Sequence, residues 1–358
     1  MTRPFPIDPL THPDIVCYII PYLRACPKDT ETLARAALVN KAWNAVYTPV
    51  LWNEVYIDLL DHDDNIRTAP SLDLQRYGTH IRRLEFKYLD PRRFVVAPQQ
   101  PQDQQEQHQS WVSRCPNLES LCLLEYNAPL EELYRFLKSV KQPLRQFSLE
   151  TDTMSPEDVI AALVAMTNSI TGGNHIGFEA LTKLELGFDI FGDNTDLCWT
   201  SLVRLLEAFP RLQMLDLATV DLGASATTTN NDEQEEEEGK EGEEGLGQKL
   251  LGIRSLQGQQ TNITHLTLRH VRIDDKALLR LLGKTPLLYY VYFNSDWTLG
   301  VDIMDALPRL CPKLKHLTLI SYGSVSSSVT AKLFQPAFTT ATAKGGSRLR
   351  LEALHLSN

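Results

Sequence analysis

The sequence has few cysteines, and they are far apart. Among its 358 residues no Cys-x-x-Cys pair occurs, which argues against a zinc site and against a dense disulfide framework. This cysteine usage is typical of a reducing compartment. The six cysteines are Cys17, Cys26, Cys115, Cys122, Cys198 and Cys311.

Long apolar runs are missing as well. The longest, Ile15 to Leu23, has nine residues and contains Pro21, whereas a membrane helix needs about 18 apolar residues. The N-terminal stretch MTRPFPIDPLTHPD is too interrupted by proline and aspartate to form a signal peptide. The sequence therefore predicts a soluble protein of the cytoplasm or the nucleus that does not bind membranes.

Basic residues are neither abundant nor clustered. The formal charge is −10, from 35 Lys and Arg against 45 Asp and Glu. Nine of the acids and one lysine fall between Asp232 and Glu244, so the rest of the chain is nearly neutral. This distribution excludes a basic patch for nucleic acid or anionic lipid. Because 43% of the residues are hydrophobic, disorder is also excluded as the dominant state.

The motifs of common catalytic sites are absent. The sequence contains neither Gly-x-Ser-x-Gly nor His-Glu-x-x-His. Gly283-Lys284-Thr285 is similar to the end of a phosphate-binding loop, but Leu278 stands where that loop needs its first glycine. We therefore predict a protein that is not an enzyme and has no cofactor and no metal site.

What the sequence does contain is a repeat, apolar-x-x-apolar-x-apolar, which occurs nine times. Prolines before several copies stop the preceding helix, so the apolar triad begins the next strand. The copies are Ile81/Leu84/Phe86, Leu118/Leu121/Leu123, Leu144/Phe147/Leu149, Leu181/Leu184/Leu186, Leu212/Leu215/Leu217, Ile263/Leu266/Leu268, Leu288/Val291/Phe293, Leu314/Leu317/Leu319 and Leu351/Leu354/Leu356.

Helical patterns lie between the strands. The apolar residues from Leu130 to Val140 recur at three- and four-residue spacing. Ser155 reads as the N-cap of a helix, and a further helix is predicted from Asp274 to Leu282, ending at Gly283. Strands connected in one sense by helices form a parallel sheet, and many such units stack into an α/β solenoid.

These repeats resemble the leucine-rich-repeat family over roughly Ile81 to Leu356. The departure is at the ninth position of each repeat, where that family carries an asparagine or cysteine ladder. We therefore expect the turn after each strand to be satisfied in another way. The residues at that position are Leu89, Tyr126, Asp152, Asp189, Val220, Val271, Asp296 and Tyr322.

We assign residues 61–358 to the repeat domain, with mobile insertions near 97–110 and 223–247. The first contains the glutamine-rich stretch Gln99 to Gln109, and the second contains the acidic run. Neither is hydrophobic enough to repay the entropy of ordering. The last triad is followed only by Ser357-Asn358, so we expect either further chain or an external partner to cover that end of the solenoid.

Residues 1–60 do not follow the repeat and are predicted to form a small helical domain. One apolar helix face contains Ile15, Ile19, Ile20 and Leu23, and another contains Leu33, Ala37, Leu38, Ala42, Trp43 and Val46. The segment resembles an F-box. The motifs that carry the resemblance are Pro13-Asp14-Ile15, Tyr22-Leu23, Val39-Asn40-Lys41-Ala42-Trp43 and Leu51-Trp52.

The resemblance implies a substrate-recognition subunit of an SCF-type ubiquitin ligase. The F-box would dock on the Skp-family adaptor, and through it on a cullin-RING ligase, while the repeats bind a protein substrate. The alternative is a leucine-rich-repeat scaffold with no ligase link, in which these helices cap the solenoid. The adaptor-binding residues that the resemblance implies are Leu10, Pro13, Ile15, Ile19, Leu23, Val39 and Trp43.

The strand alternation also predicts where a substrate would bind. The third, fifth and seventh positions of each repeat line the exposed concave face of the sheet. Early repeats carry charges there, such as Arg83, Glu85, Lys87, Lys183, Glu185 and Asp216. Repeats six to eight carry aromatic and neutral polar residues, which we predict to contact the substrate because tyrosine and arginine are favoured at binding hot spots. The predicted substrate-binding residues are His265, Thr267, Arg269, Tyr290, Tyr292, Asn294, His316 and Thr318.

Overall fold

The computed structural model describes residues 29–58, 74–89, 114–140, 142–168, 178–188, 196–222, 261–295, 301–321 and 353–357, together with Asp14 and residues 17–19. The predicted insertions near 97–110 and 223–247 lie outside the described residues. The α-helices are α1 (Asp29–Ala37), α2 (Lys41–Leu51), α3 (Leu74–Tyr77), α4 (Leu130–Ser139), α5 (Pro156–Asn168), α6 (Trp199–Ala208), α7 (Asp275–Lys284) and α8 (Val301–Leu310). The strands are β1 (Glu54–Asp58), β2 (Arg83–Lys87), β3 (Ser120–Leu124), β4 (Gln146–Thr151), β5 (Lys183–Phe188), β6 (Met214–Ala218), β7 (His265–Arg269), β8 (Tyr290–Ser295), β9 (His316–Ser321) and β10 (Ala353–Ser357).

The ten strands form one parallel sheet in which chain order and spatial order are the same. All nine predicted triads coincide with strands, β2 to β10. The predicted fold class is therefore confirmed: the repeat domain is an α/β leucine-rich-repeat solenoid. Parallel strands need long connections, and the described helices between them provide these crossovers.

The sheet begins one strand earlier than the repeat pattern predicts. β1 pairs with β2 in register from Glu54↔Arg83 to Asp58↔Lys87. This strand lies within residues 1–60, the segment predicted to be a helical domain. Its residues Trp52, Val55 and Ile57 have the spacing of the apolar triad, so the first repeat directly follows helix α2.

The solenoid core is formed by the triads. Ile81, Leu84 and Phe86 of the first predicted repeat are fully buried, and the same three positions are buried in every following repeat through Leu319. They belong to one continuous cluster that also includes Leu133 and Leu137 of α4. Removing one such leucine side chain would cost about 2 to 5 kcal/mol, so each repeat depends on its neighbours for stability.

One carbonyl in each repeat accepts two backbone amides from the next repeat, just before the strand begins. The first is Asn53, whose oxygen accepts the N–H groups of Arg82 at 3.0 Å and Arg83 at 2.9 Å. The pattern continues to Tyr289, which accepts Lys315 and His316. These shared acceptors hold successive strands in register along the sheet.

The turns after four of the strands are satisfied by the backbone. Tyr88, Glu125, Thr219 and His270, each directly after a strand, have positive φ angles of 50 to 60°. Three of their amides cross to the next repeat: Tyr88 to the Leu124 oxygen at 3.0 Å, Thr219 to the Arg269 oxygen at 2.8 Å, and His270 to the Asn294 oxygen. The ninth-position residues that follow, Leu89, Tyr126, Val220 and Val271, are buried, so hydrophobic packing replaces the family's side-chain ladder.

The helices begin where the sequence predicts and carry the predicted caps. The Ser155 hydroxyl accepts the Asp158 amide at 3.2 Å before α5, and the Asp274 carboxylate accepts the Ala277 amide before α7. One boundary is wrong: α7 continues through Gly283 to Lys284. Thr285, fully buried, donates its hydroxyl to the Leu281 oxygen at 3.0 Å, so packing against the last turn extends the helix beyond the glycine.

The N-terminal helices have a small core of their own. Leu33, Ala36, Ala37 and Tyr47 are buried there, with Trp43, Val46, Val50 and Leu51 packed around them. At the end of α2, the Trp52 ring stacks on Tyr77 with 4.3 Å between centroids, and only Trp52 and Asn53 separate α2 from β1. The N-terminal helices are thus joined to the solenoid by packing as well as by the chain. In the part of the chain that the structure describes, no helix is long and apolar enough to cross a bilayer.

Candidate protein-interaction surfaces

The residues predicted to bind a substrate form three rows across β7, β8 and β9. The strand register aligns His265 with Tyr290 and His316, and Thr267 with Tyr292 and Thr318. Arg269 aligns with Asn294 and Ile320 in the third row. The predicted juxtaposition is therefore confirmed, whereas substrate binding stays a prediction. We call these nine residues the aromatic patch.

The rings of the first row pack on one another. His265 and Tyr290 are stacked with 5.8 Å between centroids, and Tyr290 lies 6.3 Å from His316. Burial lowers the pKa of His265, and the charge of His316 lowers it further. At neutral pH His265 is consequently an uncharged ring that adds aromatic surface to the patch.

Tyr289 belongs to this cluster, although the sequence analysis did not select it. Its hydroxyl lies 3.2 Å from Nε2 of His316, and its ring centroid is 5.0 Å from that of the histidine. Lys315 places its ammonium 5.3 Å from the Tyr289 centroid. Tyr289 occupies the second position of its repeat, just before the strand, so it contacts the first row from the side.

Asn294 differs from the prediction that the seventh position is exposed. It is only 8% exposed, and its side-chain oxygen Oδ1 has no hydrogen-bond partner. Strand alternation predicts the face of the sheet on which a side chain lies, but the neighbouring side chains determine how much of it is exposed to solvent. A buried carbonyl without a donor loses the hydrogen bond it makes in water, which costs about 1 to 3 kcal/mol.

Arg269, also in the predicted set, is not a free cation. Its Nε donates to Oδ1 of Asp216 on β6 at 3.1 Å. Burial raises the pKa of Asp216, and the Arg269 guanidinium opposes that rise. Arg269, at the edge of the aromatic patch, therefore joins the patch to the charged part of the face through this ion pair.

The earlier strands carry the charged part of the concave face. Arg83 pairs with Glu85 at 3.1 Å, and Lys183 pairs with Glu185 at 2.7 Å. Cys122, at the fifth position of its repeat and in register with Glu85, is buried rather than exposed, and burial raises its thiol pKa to about 11. A thiol with this pKa stays protonated at neutral pH and is a poor nucleophile.

A second surface lies on the turn between α1 and α2. Leu38 is 83% exposed and Val39 is 59% exposed. The turn itself is ordered: their amides donate to the oxygens of Arg35 and Ala36, both at 3.1 Å, and Asn40 caps α2 by accepting the Trp43 amide at 2.9 Å. We call Leu38 and Val39 the apolar turn.

Leu38 was predicted to lie on a buried helix face, and this is wrong because α1 ends at Ala37. Of the predicted adaptor-binding residues, Val39 is exposed, Trp43 packs on the small core with its ring centroid 5.4 Å from that of Tyr47, and Ile19 is half-buried. Leu10, Pro13, Ile15 and Leu23 lie outside the described residues. The structure therefore gives Val39 and Trp43 different environments, because Val39 is exposed and Trp43 packs against the small core.

No family model matches this chain, and no curated protein matches it in sequence. Similar solved structures include internalin C2 from Listeria monocytogenes, with 16% identity over 69% of this chain and 74% of that chain and a TM-score of 0.35. A structure of the Rad7 and Elc1 complex in yeast is similar at 14% identity over 90% of this chain and 85% of that chain, with a TM-score of 0.39. At such values the similarity carries no argument about function, which must be built from this chain's own residues.

Proposed function

We propose that this chain is a non-catalytic receptor that brings a protein substrate to an SCF-type ubiquitin ligase in the cytoplasm or the nucleus. The concave face binds the substrate, and the N-terminal helices dock on the Skp-family adaptor of the cullin-RING ligase. The chain contributes proximity, because it raises the effective concentration of substrate lysines near a distant active site.

The apolar turn is the observation that carries this proposal. Two large aliphatic side chains stand in water on a backbone that is fixed by hydrogen bonds and a helix cap. Neighbouring apolar side chains that are exposed on an ordered backbone are typical of protein-binding sites. Its second residue, Val39, begins the Val39-to-Trp43 motif, which carries much of the F-box resemblance.

A point substitution tests adaptor docking better than a truncation. Residues 1–60 include β1, so deleting them would remove the first strand of the sheet and expose the edge of β2. In the full chain, Leu38→Asp with Val39→Asp should weaken co-purification with the Skp-family adaptor by about a hundredfold, because it places charge in a buried contact.

The matched control is Tyr56→Asp, which charges another exposed apolar residue, 55% exposed and on β1. This variant should retain adaptor binding, and both variants should keep the thermal unfolding midpoint of the parent. If the unaltered full chain captures no adaptor, the ligase proposal is wrong.

A second candidate is a protein-interaction scaffold without a ligase link. The stacking of Trp52 on Tyr77 and the direct passage from α2 into β1 favour it, because a repeat array needs a unit that covers its first edge. In that case the substitutions at the apolar turn change no binding partner, while substitutions in the aromatic patch still do.

A further inference from the structure

The concave face has little to offer an anionic partner. Four Lys or Arg side chains occupy its three rows on the strands that the structure describes, and each is ion-paired within this chain. The pairs are Arg83–Glu85 at 3.1 Å, Lys87–Glu125 at 3.2 Å, Lys183–Glu185 at 2.7 Å and Arg269–Asp216 at 3.1 Å. A phosphate or an acidic segment would have to break one of these pairs.

The aromatic patch instead combines aromatic rings with a hydrogen-bond acceptor that has no donor. Oδ1 of Asn294 has no donor, although the residue is more than nine-tenths buried. Tyr292 is half-buried two residues earlier on the same face of β8, which places the two side chains about 7 Å apart along the strand. None of the residues aligned on β8 and β9 is a lysine, arginine, aspartate or glutamate.

We propose that the aromatic patch binds an arginine or lysine side chain of the substrate, with its cation between the two side chains, against the ring of Tyr292 and donating to Oδ1 of Asn294. The inference rests on the proposed use of the concave face for substrate binding. A guanidinium stacks on an aromatic face and donates through five N–H groups, so it meets both features at once. The low pKa of His265 supports this assignment, since a neutral imidazole does not repel the incoming cation.

The test begins with selection of peptides from a displayed library of random dodecapeptides on the immobilised full chain. The expected result is enrichment of Arg or Lys at one fixed position. The selected peptide is then synthesised with that residue as arginine and as citrulline, its neutral isostere. The citrulline form should bind at least about tenfold more weakly, because a hydrogen bond from a charged donor and a cation–π contact are lost together.

Asn294→Leu provides the matched variant. It removes an acceptor that has no donor in the free protein, so the thermal midpoint should not fall. It should weaken binding of the arginine peptide about tenfold and binding of the citrulline peptide less, because the ureido group of citrulline donates only neutral N–H groups. Asn294→Asp should tighten binding of the arginine peptide. Enrichment of acidic residues, failure to select any peptide, or a preference for the arginine peptide over the citrulline peptide that is as large on Asn294→Leu as on the parent chain would overturn the proposal.

Adaptor co-purification is measured on the same Asn294→Leu chain. It should be unchanged, since the substitution lies on β8 and the apolar turn precedes α2. A chain that selects basic peptides but captures no adaptor retains this inference and loses the ligase role. A chain that captures the adaptor but selects no basic peptide retains the ligase role and loses this inference.

Discussion

The two parts of the concave face manage their exposed side chains in opposite ways. From β2 to β6 most charges are neutralised within the chain, as in the Lys183–Glu185 pair. From β7 to β9 the rings of His265, Tyr290 and His316 pack on one another, and a buried amide oxygen has no donor. Exposed ion pairs give a partner little to gain, whereas packed rings keep large area and hydrogen-bonding capacity available. The part of the face richest in charge is therefore not the one best suited to binding.

The strongest way to test this contrast is to remove the two tyrosines. Tyr290→Ala with Tyr292→Ala should reduce affinity for the captured substrate by at least about a hundredfold, because tyrosines at the centre of a patch act as hot spots. Both side chains are only half-buried, so the fold should survive. Titration of the substrate against each variant measures the loss.

The control removes a complete ion pair from the charged part. Arg83→Ala with Glu85→Ala eliminates both partners of a 3.1 Å contact and should change affinity less than about threefold, as expected for an exposed pair. Equal losses in the two double variants would show that the face binds as a whole and that the contrast is unimportant.

A smaller effect is expected at the boundary between the two parts. Arg269→Ala leaves the Asp216 carboxylate without its cation and should lower the free energy of unfolding at pH 7 by about 1 to 2 kcal/mol. Adding Asp216→Asn should restore most of that loss. Urea denaturation of both variants measures it, and a double variant as unstable as Arg269→Ala would contradict the pairing.

The pH dependence of Arg269→Ala gives a second readout. Burial already raises the pKa of Asp216 in the folded chain. A raised carboxyl pKa contributes stability that is present below the unfolded value near 3.8 and is lost as pH rises through the folded value. Without the arginine this pKa should rise further, so the variant should recover part of its lost stability as pH falls from neutral through the folded pKa toward the unfolded value.

The smallest expected effect comes from His265. Its pKa is lowered in the folded chain, so the unfolded chain takes up the proton first as pH falls below the ordinary value of 6.5. Neutral His265 therefore contributes stability that is fully present above pH 6.5. That stability is lost as pH falls from 6.5 through the lower pKa of His265 in the folded chain. His265→Gln should therefore flatten the loss of stability between pH 7 and 5, measured by thermal melts.

The repeat pattern predicted the fold because the three buried positions of each repeat lie within six consecutive residues and can be recognised in the sequence without knowing any distant contact. Nine triads coincide with nine strands. β1 was missed although Trp52, Val55 and Ile57 fit the same spacing, because Trp52 also completes the F-box-like Leu-Trp motif. Trp52 serves both elements, and its place in the Leu-Trp motif predicted only the helical one.

The site was less predictable because it depends on contacts between distant parts of the chain. Alternation placed Asn294 on the correct face, but its burial depends on what surrounds it in three dimensions. The Arg269–Asp216 pair joins residues that are 53 positions apart in the sequence. A long insertion separates them, and its length does not predict which residues of β6 and β7 lie side by side. Tyr289 lies outside the alternating positions, and only the packing of its ring against His316 reveals it.

The shared acceptor carbonyls and the stacking of Trp52 on Tyr77 have a consequence for distance. They join the α2 end to the sheet without a flexible linker, and the strands then follow one another in fixed register from Asn53 to His316. Seven strand spacings separate β1 from β8, which is roughly 34 Å along the sheet at about 4.8 Å for each. The solenoid therefore acts as a rigid spacer, and the number of repeats sets how far from the N-terminal helices a bound protein is held.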